Sequence, residues 1–238
     1  MIKTLVIVGY ITVTLSFIGC GGCSKKEAGW ASDQMQREVD QISDTHSNNL
    51  ENMVIKAFKE NWGSTTVPTE LEKLIEFQNN VSAPEFYVHG FAVTIDDKQG
   101  LKSWSEDPTF LEKLHPFAQA NGTGSFYAIW HDGTVKPIHE MPIVVFGDEG
   151  GTHVVAENIR QLMQLITVDV EVSVEFDKVY FYKDDSYQES RDLEKYLKWL
   201  GGAYNLKQIQ DPAKIITVAQ AQYKQAFDSW FKQYYTID

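Results

Sequence analysis

Apolar residues recur at helical spacing towards both ends of the chain, whereas shorter apolar runs fill its middle. Two helix starts have a clear signature. Thr69 with Glu72 three residues later forms a capping box, and Asp107 is an N-cap residue followed by a proline. Helices are predicted from Thr69, from Pro108, over 157–166, over 190–200 before the Gly201-Gly202 pair, and from Pro212 to about Tyr235.

The central apolar runs are bounded by turn residues, as is typical of strands. Asp132-Gly133 is one such turn, and the glycine-rich sequence GDEGG at 147–151 is another. Strands are predicted over 90–96, 125–130, 142–146, 153–156, 168–176 and 178–182. One block of strands with helices before and after it predicts an α+β fold: a mostly antiparallel or mixed central sheet flanked by helices, with helical additions at both ends of the chain.

The first 19 residues have the pattern of a secretory leader, because Lys3 precedes an almost unbroken apolar run. The run is shorter than the roughly 20 residues that a membrane span needs, so cleavage is favoured. The residues before the first cysteine, Phe17-Ile18-Gly19, resemble the lipobox of bacterial lipoproteins. We therefore expect a lipid on Cys20. Ordinary signal-peptide cleavage near Gly22 is the alternative.

The remaining chain divides into three parts of unequal length. Residues 20–32 read as a lipidated tether, and residues 33–62 as a helical arm, a stalk or docking arm rather than core, whose polar middle, SDTHSNN, frays or breaks the helix. Residues 63–238 are then one α+β domain with C-terminal helices. Both cysteines of the chain, Cys20 and Cys23, precede this domain, so no disulfide staples it and its fold depends on its core.

Acidic residues outnumber basic ones by 33 to 21, which gives a formal net charge of −12. Removal of the leader takes away Lys3 and changes the net charge to −13. Nucleic acid is an unfavourable partner for such a surface, whereas a basic protein would be attracted to it. Colloidal solubility explains the same charge equally well, so the charge alone leaves both interpretations open.

Two polar clusters have the residue types of a ligand site without the required spacing. His131-Asp132 and His139-Glu140 match no recognised metal-ligand pattern, and a polar loop is the simpler interpretation. The NGTGS sequence at 121–125 precedes a strand and has no lysine, whereas phosphate-binding loops follow a strand and usually contain one. The sequence therefore predicts neither a metal nor a cofactor.

The third cluster consists of Asp148 and Glu149, which lie between glycines as a tight turn requires. Adjacent carboxylates in a turn point apart, unlike the facing pair of a glycosidase. We predict that the protein is not an enzyme, with a wall hydrolase that uses one of these carboxylates as the alternative. Together with Glu157, they are candidates for contact with a basic partner.

Residues 103–167 resemble the SUKH superfamily of Smi/Knr-like proteins. The matching features are FAQANGTG before a strand, MPIVVFGDEGG as a strand that follows a proline and ends in an acidic turn, and a strand that ends in VA and leads into ENIRQLMQLI. Two features depart from the family pattern: SAPEFYVHG lacks the usual Asn-Gly-Gly, and Ser125 stands where an aspartate is common. The resemblance implies a non-enzymatic α+β domain that binds proteins, often as a bacterial immunity protein against a cognate toxin.

The leader, the charge and the resemblance together predict a membrane-tethered, protein-binding lipoprotein. Its expected function is that of an immunity protein that neutralises a basic toxin acting in the periplasm. The expected location is the periplasmic face of the outer membrane, because Gly21 rather than an aspartate follows the lipidated cysteine. A structural or adaptor lipoprotein that holds another envelope protein is the alternative.

Replacement of Cys20 by serine is expected to abolish acylation and to release the protein from membranes, because the acyl chains attach through this cysteine. Labelling of bacterial cultures with radioactive palmitate measures this directly. The Cys23→Ser variant is the matched control and is expected to keep its label. Label that persists in the Cys20→Ser protein would contradict the lipid anchor.

Overall fold

The computed structural model describes residues 54–81, 86–183 and 185–235. The predicted leader, Cys20, the tether and the first part of the arm lie outside these residues. The helices are α1 (54–61), α2 (Thr69–Val81), α3 (Gln99–Lys102), α4 (Pro108–Lys113), α5 (Ile159–Leu165), α6 (Leu193–Tyr204) and α7 (Pro212–Phe231). The strands are β1 (Ala92–Val93), β2 (Leu114–Gln119), β3 (Phe126–Trp130), β4 (Ile143–Phe146), β5 (Thr152–Ala156), β6 (Val172–Val174) and β7 (Val179–Phe181). Within the described ranges, no helix is long and apolar enough to cross a membrane.

The first five strands form one antiparallel sheet in which strand order follows chain order. β6 and β7 pair with each other in a separate hairpin. The predicted α+β class with a central antiparallel sheet is therefore confirmed. Because neighbouring strands run in opposite directions, the start of β3, the end of β4 and the start of β5 lie at one end of the sheet.

The central sheet is buried on both faces. Along β3, Tyr127 and Ile129 belong to one core cluster, while Ala128 and Trp130 belong to the other, as alternation along a strand requires. The first cluster includes residues of α2, α5 and α6. The second includes Ala219, Tyr223, Phe227 and Phe231 of α7. Helices thus cover both faces, which explains why β3 and β4 read as continuous apolar runs.

The core under α7 is built largely from aromatic rings. Phe110 of α4 stacks on Trp230 with a centroid distance of 5.5 Å, and Phe227 lies 5.1 Å from Trp130 of β3. Near the end of α7, Phe231 packs on Phe146 of β4 at 6.2 Å. Such pairs contribute roughly 0.5–1.5 kcal/mol each beyond their buried area. The contact between Phe231 and Phe146 holds the last turn of α7 close to the end of the sheet at which β3 and β5 begin.

One side chain covers the outer edge of β1. The side chain of Gln78 in α2 accepts a hydrogen bond from the amide of Val93 at 2.7 Å and donates one to its carbonyl oxygen at 3.0 Å. The amide group therefore replaces a missing strand partner, which protects the edge from pairing with other chains. β1 itself is confined to Ala92–Val93, shorter than the strand predicted over 90–96.

The described part of the predicted arm belongs to the core. Phe58 is 1% exposed and Trp62 is 6% exposed, and both lie in the cluster on the first face of the sheet. The ring of Trp62 packs 5.1 Å from that of His115 in β2. The apolar face of α1 therefore completes this core from the N-terminal side of the predicted boundary between residues 62 and 63.

Helix α6 does not end where the sequence predicted. It continues through Gly201 and Gly202 and ends at Tyr204, where Asn205 adopts a left-handed conformation with φ of 54°. The amide of Asn205 donates a hydrogen bond to the carbonyl of Gly201 at 3.0 Å. Asparagine tolerates this conformation better than most residues, so the helix ends at Asn205 and not at the predicted position before Gly201.

Candidate functional site

The glycine-rich turn between β4 and β5 lies directly against the tip of the β6–β7 hairpin. At Gly150, with φ of +107°, a Cβ atom would lie 2.6 Å from the ring of Phe176. At Gly151, with φ of +83°, it would overlap the carbonyl oxygen of Glu175. Both the backbone conformation and the close approach therefore require glycine at these positions. The hairpin docks on the sheet because the turn has no side chains there.

This docking holds an aromatic ring at the surface. Phe176 is 64% exposed although its ring contacts Gly150. Three further rings pack together near the end of α7: Trp104 lies 4.9 Å from Tyr235 and 5.8 Å from Phe231. Phe176 and these rings line a common cavity of about 460 Å³, which also includes part of β5.

A second cavity of about 330 Å³ is lined by three of the same rings and by residues 147–150 of the β4–β5 turn, which we call the acidic turn. It is lined by Trp104, Phe176 and Tyr235 together with Asp148 and Glu149. We refer to the two adjoining cavities as the sheet-end cleft. The cleft thus combines aromatic surface with the two carboxylates that the sequence analysis selected.

The NGTGS loop holds Asp148 in place. Ser125 donates a hydrogen bond from its hydroxyl to the Asp148 carboxylate at 2.5 Å and accepts one from the Asp148 amide at 3.1 Å. Asn121 donates to the Ser125 hydroxyl at 2.9 Å, and its side-chain oxygen accepts from the Ser125 amide, also at 2.9 Å. The loop is therefore a structural support for the acidic turn.

The charge on Asp148 is stabilised by these contacts. Partial burial alone would raise the pKa of the Asp148 carboxyl, but hydrogen bonds from Ser125, Thr123, its own amide and Asn121 together hold the pKa below its ordinary value. The neighbouring Glu149 is exposed at the apex of the turn. Both carboxylates are therefore available at the mouth of the cleft.

Glu157 does not belong to this site. It follows β5, whereas the acidic turn precedes it, and five residues at about 3.3 Å per residue separate the two ends of that strand by about 17 Å. The Glu157 carboxylate accepts a hydrogen bond from Gln161, and the residue lines a different cavity with Lys136 and Arg160. The structure therefore brings Asp148 and Glu149 together at one end of β5 and places Glu157 at the other end, in a different cavity. The contact of all three carboxylates with one partner stays a prediction.

The charges around the cleft leave an excess of carboxylates. Asp148, Glu149, Asp177 and Asp228 line it, against Lys224 and Lys232. The Lys224 ammonium lies 2.5 Å from the Asp228 carboxylate, so this pair is internally compensated. His153 adds no positive charge near neutral pH, because burial lowers the pKa of its imidazole, which contacts the carbonyl of Glu175.

The two histidine-acid pairs make local contacts, and in the second pair the imidazole of His139 lies 3.7 Å from the carboxylate of its neighbour Glu140. His131 accepts a hydrogen bond from the Gly133 amide at 3.2 Å, and Asp132 accepts one from the Thr134 amide at 2.9 Å. Across all described residues, no three His, Cys, Asp or Glu side chains are grouped so that they would hold a metal ion.

Comparison of the chain with protein-family models, with curated proteins and with solved structures gives no significant match. The resemblance to the SUKH superfamily therefore stays a prediction.

The Gly150→Val substitution is expected to lower the free energy of unfolding by about 1 to 3 kcal/mol, because valine is strained at this positive φ. It also has no room beside the ring of Phe176. Urea denaturation followed by circular dichroism measures the change. Glu149→Gln, one residue earlier and exposed, is the control and is expected to leave stability unchanged. Equal stability of the Gly150→Val and wild-type proteins would show that the hairpin does not depend on this glycine.

Proposed function

We propose that this protein is a lipid-tethered binding protein of the bacterial cell envelope, and that it acts as an immunity protein by capturing a toxin in the periplasm. The observation that carries the proposal is the sheet-end cleft, in which exposed aromatic surface adjoins carboxylates. Aromatic residues are enriched among the residues that dominate binding energy at protein interfaces. Carboxylates at the rim of an interface accelerate encounter with a partner of opposite charge.

The charge of the domain supports a basic protein as the partner. The whole chain has a net charge of −12, and the cleft itself has more carboxylates than ammonium groups. An acidic field of this kind raises the association rate with a positive protein. Fast capture matters for neutralisation, because an immunity protein must bind its toxin before the toxin reaches its target.

The construction of the cleft supports a rigid binding surface. One wall is the docked hairpin, and the other is the aromatic group around Trp104, which packs on Phe146 of the sheet at 5.5 Å. Walls that are fixed before binding lower the entropy lost in complex formation. A preformed surface of this kind suits an inhibitor that acts by occupying its partner.

The predicted anchor accounts for where such capture would take place. The leader, the lipobox-like residues before Cys20 and the polar tether favour a domain held outside the cytoplasm at a membrane. The resemblance to SUKH domains supports binding of a toxin in particular.

An adaptor lipoprotein is the second candidate, and one observation favours it. The β7 region exposes Tyr180 to 38% and Tyr182 to 69%, which provides a second aromatic surface beside the cleft. Two such surfaces suit a protein that connects two resident envelope proteins. An adaptor does not protect cells from a toxin, so the two functions are distinguishable.

Protection of cells tests the proposed function. Co-expression of the protein with a toxin encoded beside its gene is expected to restore growth, because the domain captures the toxin in the periplasm. The double variant Asp148→Asn, Glu149→Gln is expected to reduce the association rate constant about tenfold and to protect less well. Glu157→Gln at the other end of β5 is the matched control and is expected to protect fully.

Two results would together contradict the immunity function. One is failure to protect against every genetically linked toxin, and the other is the absence of a toxin among the partners cross-linked in envelope extracts. A resident envelope protein found among those partners would then favour the adaptor.

A further inference from the structure

The tip of the β6–β7 hairpin carries an exposed aromatic side chain that the core does not explain. Single exposed apolar residues are common on protein surfaces. Phe176 differs because its ring is fixed against Gly150 and lines both cavities of the cleft. The cavity beside it is also lined by the mutually packed rings of Trp104, Phe231 and Tyr235. The cleft is therefore a slot with aromatic surface on both the hairpin and the α7 sides.

The charges of this slot favour a cation between the rings. Four carboxylates line the cleft against two ammonium groups, and one of those ammonium groups, that of Lys224, is paired with Asp228. Glu149 and Asp177 form no ion pair with any residue that the structure describes, which leaves them free for an incoming charge. The faces of aromatic rings also attract cations, because their π electrons give them a negative potential.

The aromatic and acidic lining of the slot favours a guanidinium over an ammonium. A guanidinium is planar, stacks on aromatic faces and is less strongly hydrated than an ammonium, so it loses less on entering an apolar space. It also presents several N–H donors in one plane and binds carboxylates through two parallel hydrogen bonds. A neutral aromatic side chain would fill the space but would leave the carboxylates without a partner.

We infer that the sheet-end cleft receives an arginine side chain of the partner, stacked between Phe176 and the Trp104–Tyr235 rings, with its charge balanced by the acidic turn. This inference rests on the proposed function in taking the cleft as the surface that binds a protein. It adds the residue type by which the partner is recognised.

Calorimetric titration of the full-length protein in detergent with N-acetyl-arginine amide tests the inference. Saturable binding is expected, at least fivefold tighter than for N-acetyl-lysine amide and at least tenfold tighter than for the uncharged N-acetyl-citrulline amide. Equal affinity for arginine and citrulline probes, or no binding of the arginine probe, would overturn the inference.

Variants of the hairpin locate the binding. Phe176→Ala removes the exposed ring and is expected to weaken arginine binding at least fivefold. Tyr182→Ala is the matched control, because Tyr182 is 69% exposed close to the same hairpin and does not line the cleft. Equal losses in both variants would overturn the inference. Lys232→Gln removes the cleft ammonium that has no carboxylate partner among the described residues, and is expected to tighten binding.

Failure of this inference and failure of the proposed function give different results. If Phe176→Ala and the wild-type protein protect cells equally and neither binds the arginine probe, the immunity function stands and the arginine slot is wrong. If the protein binds the arginine probe selectively but neither protects against a genetically linked toxin nor cross-links to one in envelope extracts, the slot stands and the immunity function is wrong.

Discussion

The contact between the Gly147–Gly151 turn and the tip of the β6–β7 hairpin is the constraint on which the candidate site depends. The turn approaches so closely that side chains at Gly150 and Gly151 would meet Phe176 and Glu175. The carbonyl of Glu175 also contacts the imidazole of His153 at 2.7 Å, which fixes the hairpin to β5. These contacts place an exposed ring beside two carboxylates, so a steric requirement of the backbone determines the chemistry of the cleft.

The opposite wall depends on a different part of the core. Helix α7 covers the second face of the sheet, and aromatic contacts hold its last turns near Phe146. Trp104 comes from the segment after α3 and joins this group through Phe231 and Tyr235. The cleft is therefore formed where the sheet, the hairpin and the end of α7 meet, and no one element contains it.

The sequence predicted those features that depend on local chemistry. The starts of α4 and α7 are confirmed, because a proline begins each helix and Asp107 accepts hydrogen bonds from the amides of Thr109 and Phe110. Helix α2 also begins at Thr69, but the amides of Leu71 and Glu72 bond to the carbonyl of Pro68, so Thr69 is the first helical residue and not the predicted cap. Strand β2 was not predicted, since Pro116 interrupts it at an irregular register and it is buried on both faces. The acidic turn was recognised, but Trp104, Phe176 and Tyr235 are too distant in sequence for any periodicity to associate them. For the hairpin wall of the cleft, the sequence contains one local signal: Phe176 is an isolated apolar residue between Glu175 and Asp177 at a turn.

We propose that the sheet-end cleft is the surface through which this protein captures its partner. Hydrogen–deuterium exchange of the protein, alone and in complex with that partner, tests it most directly. We expect protection on binding to be concentrated in peptides covering residues 147–152, 174–178 and 228–235. Protection confined to the other end of the sheet, around residues 136–140 and 157–160, with unchanged exchange in the cleft, would contradict it.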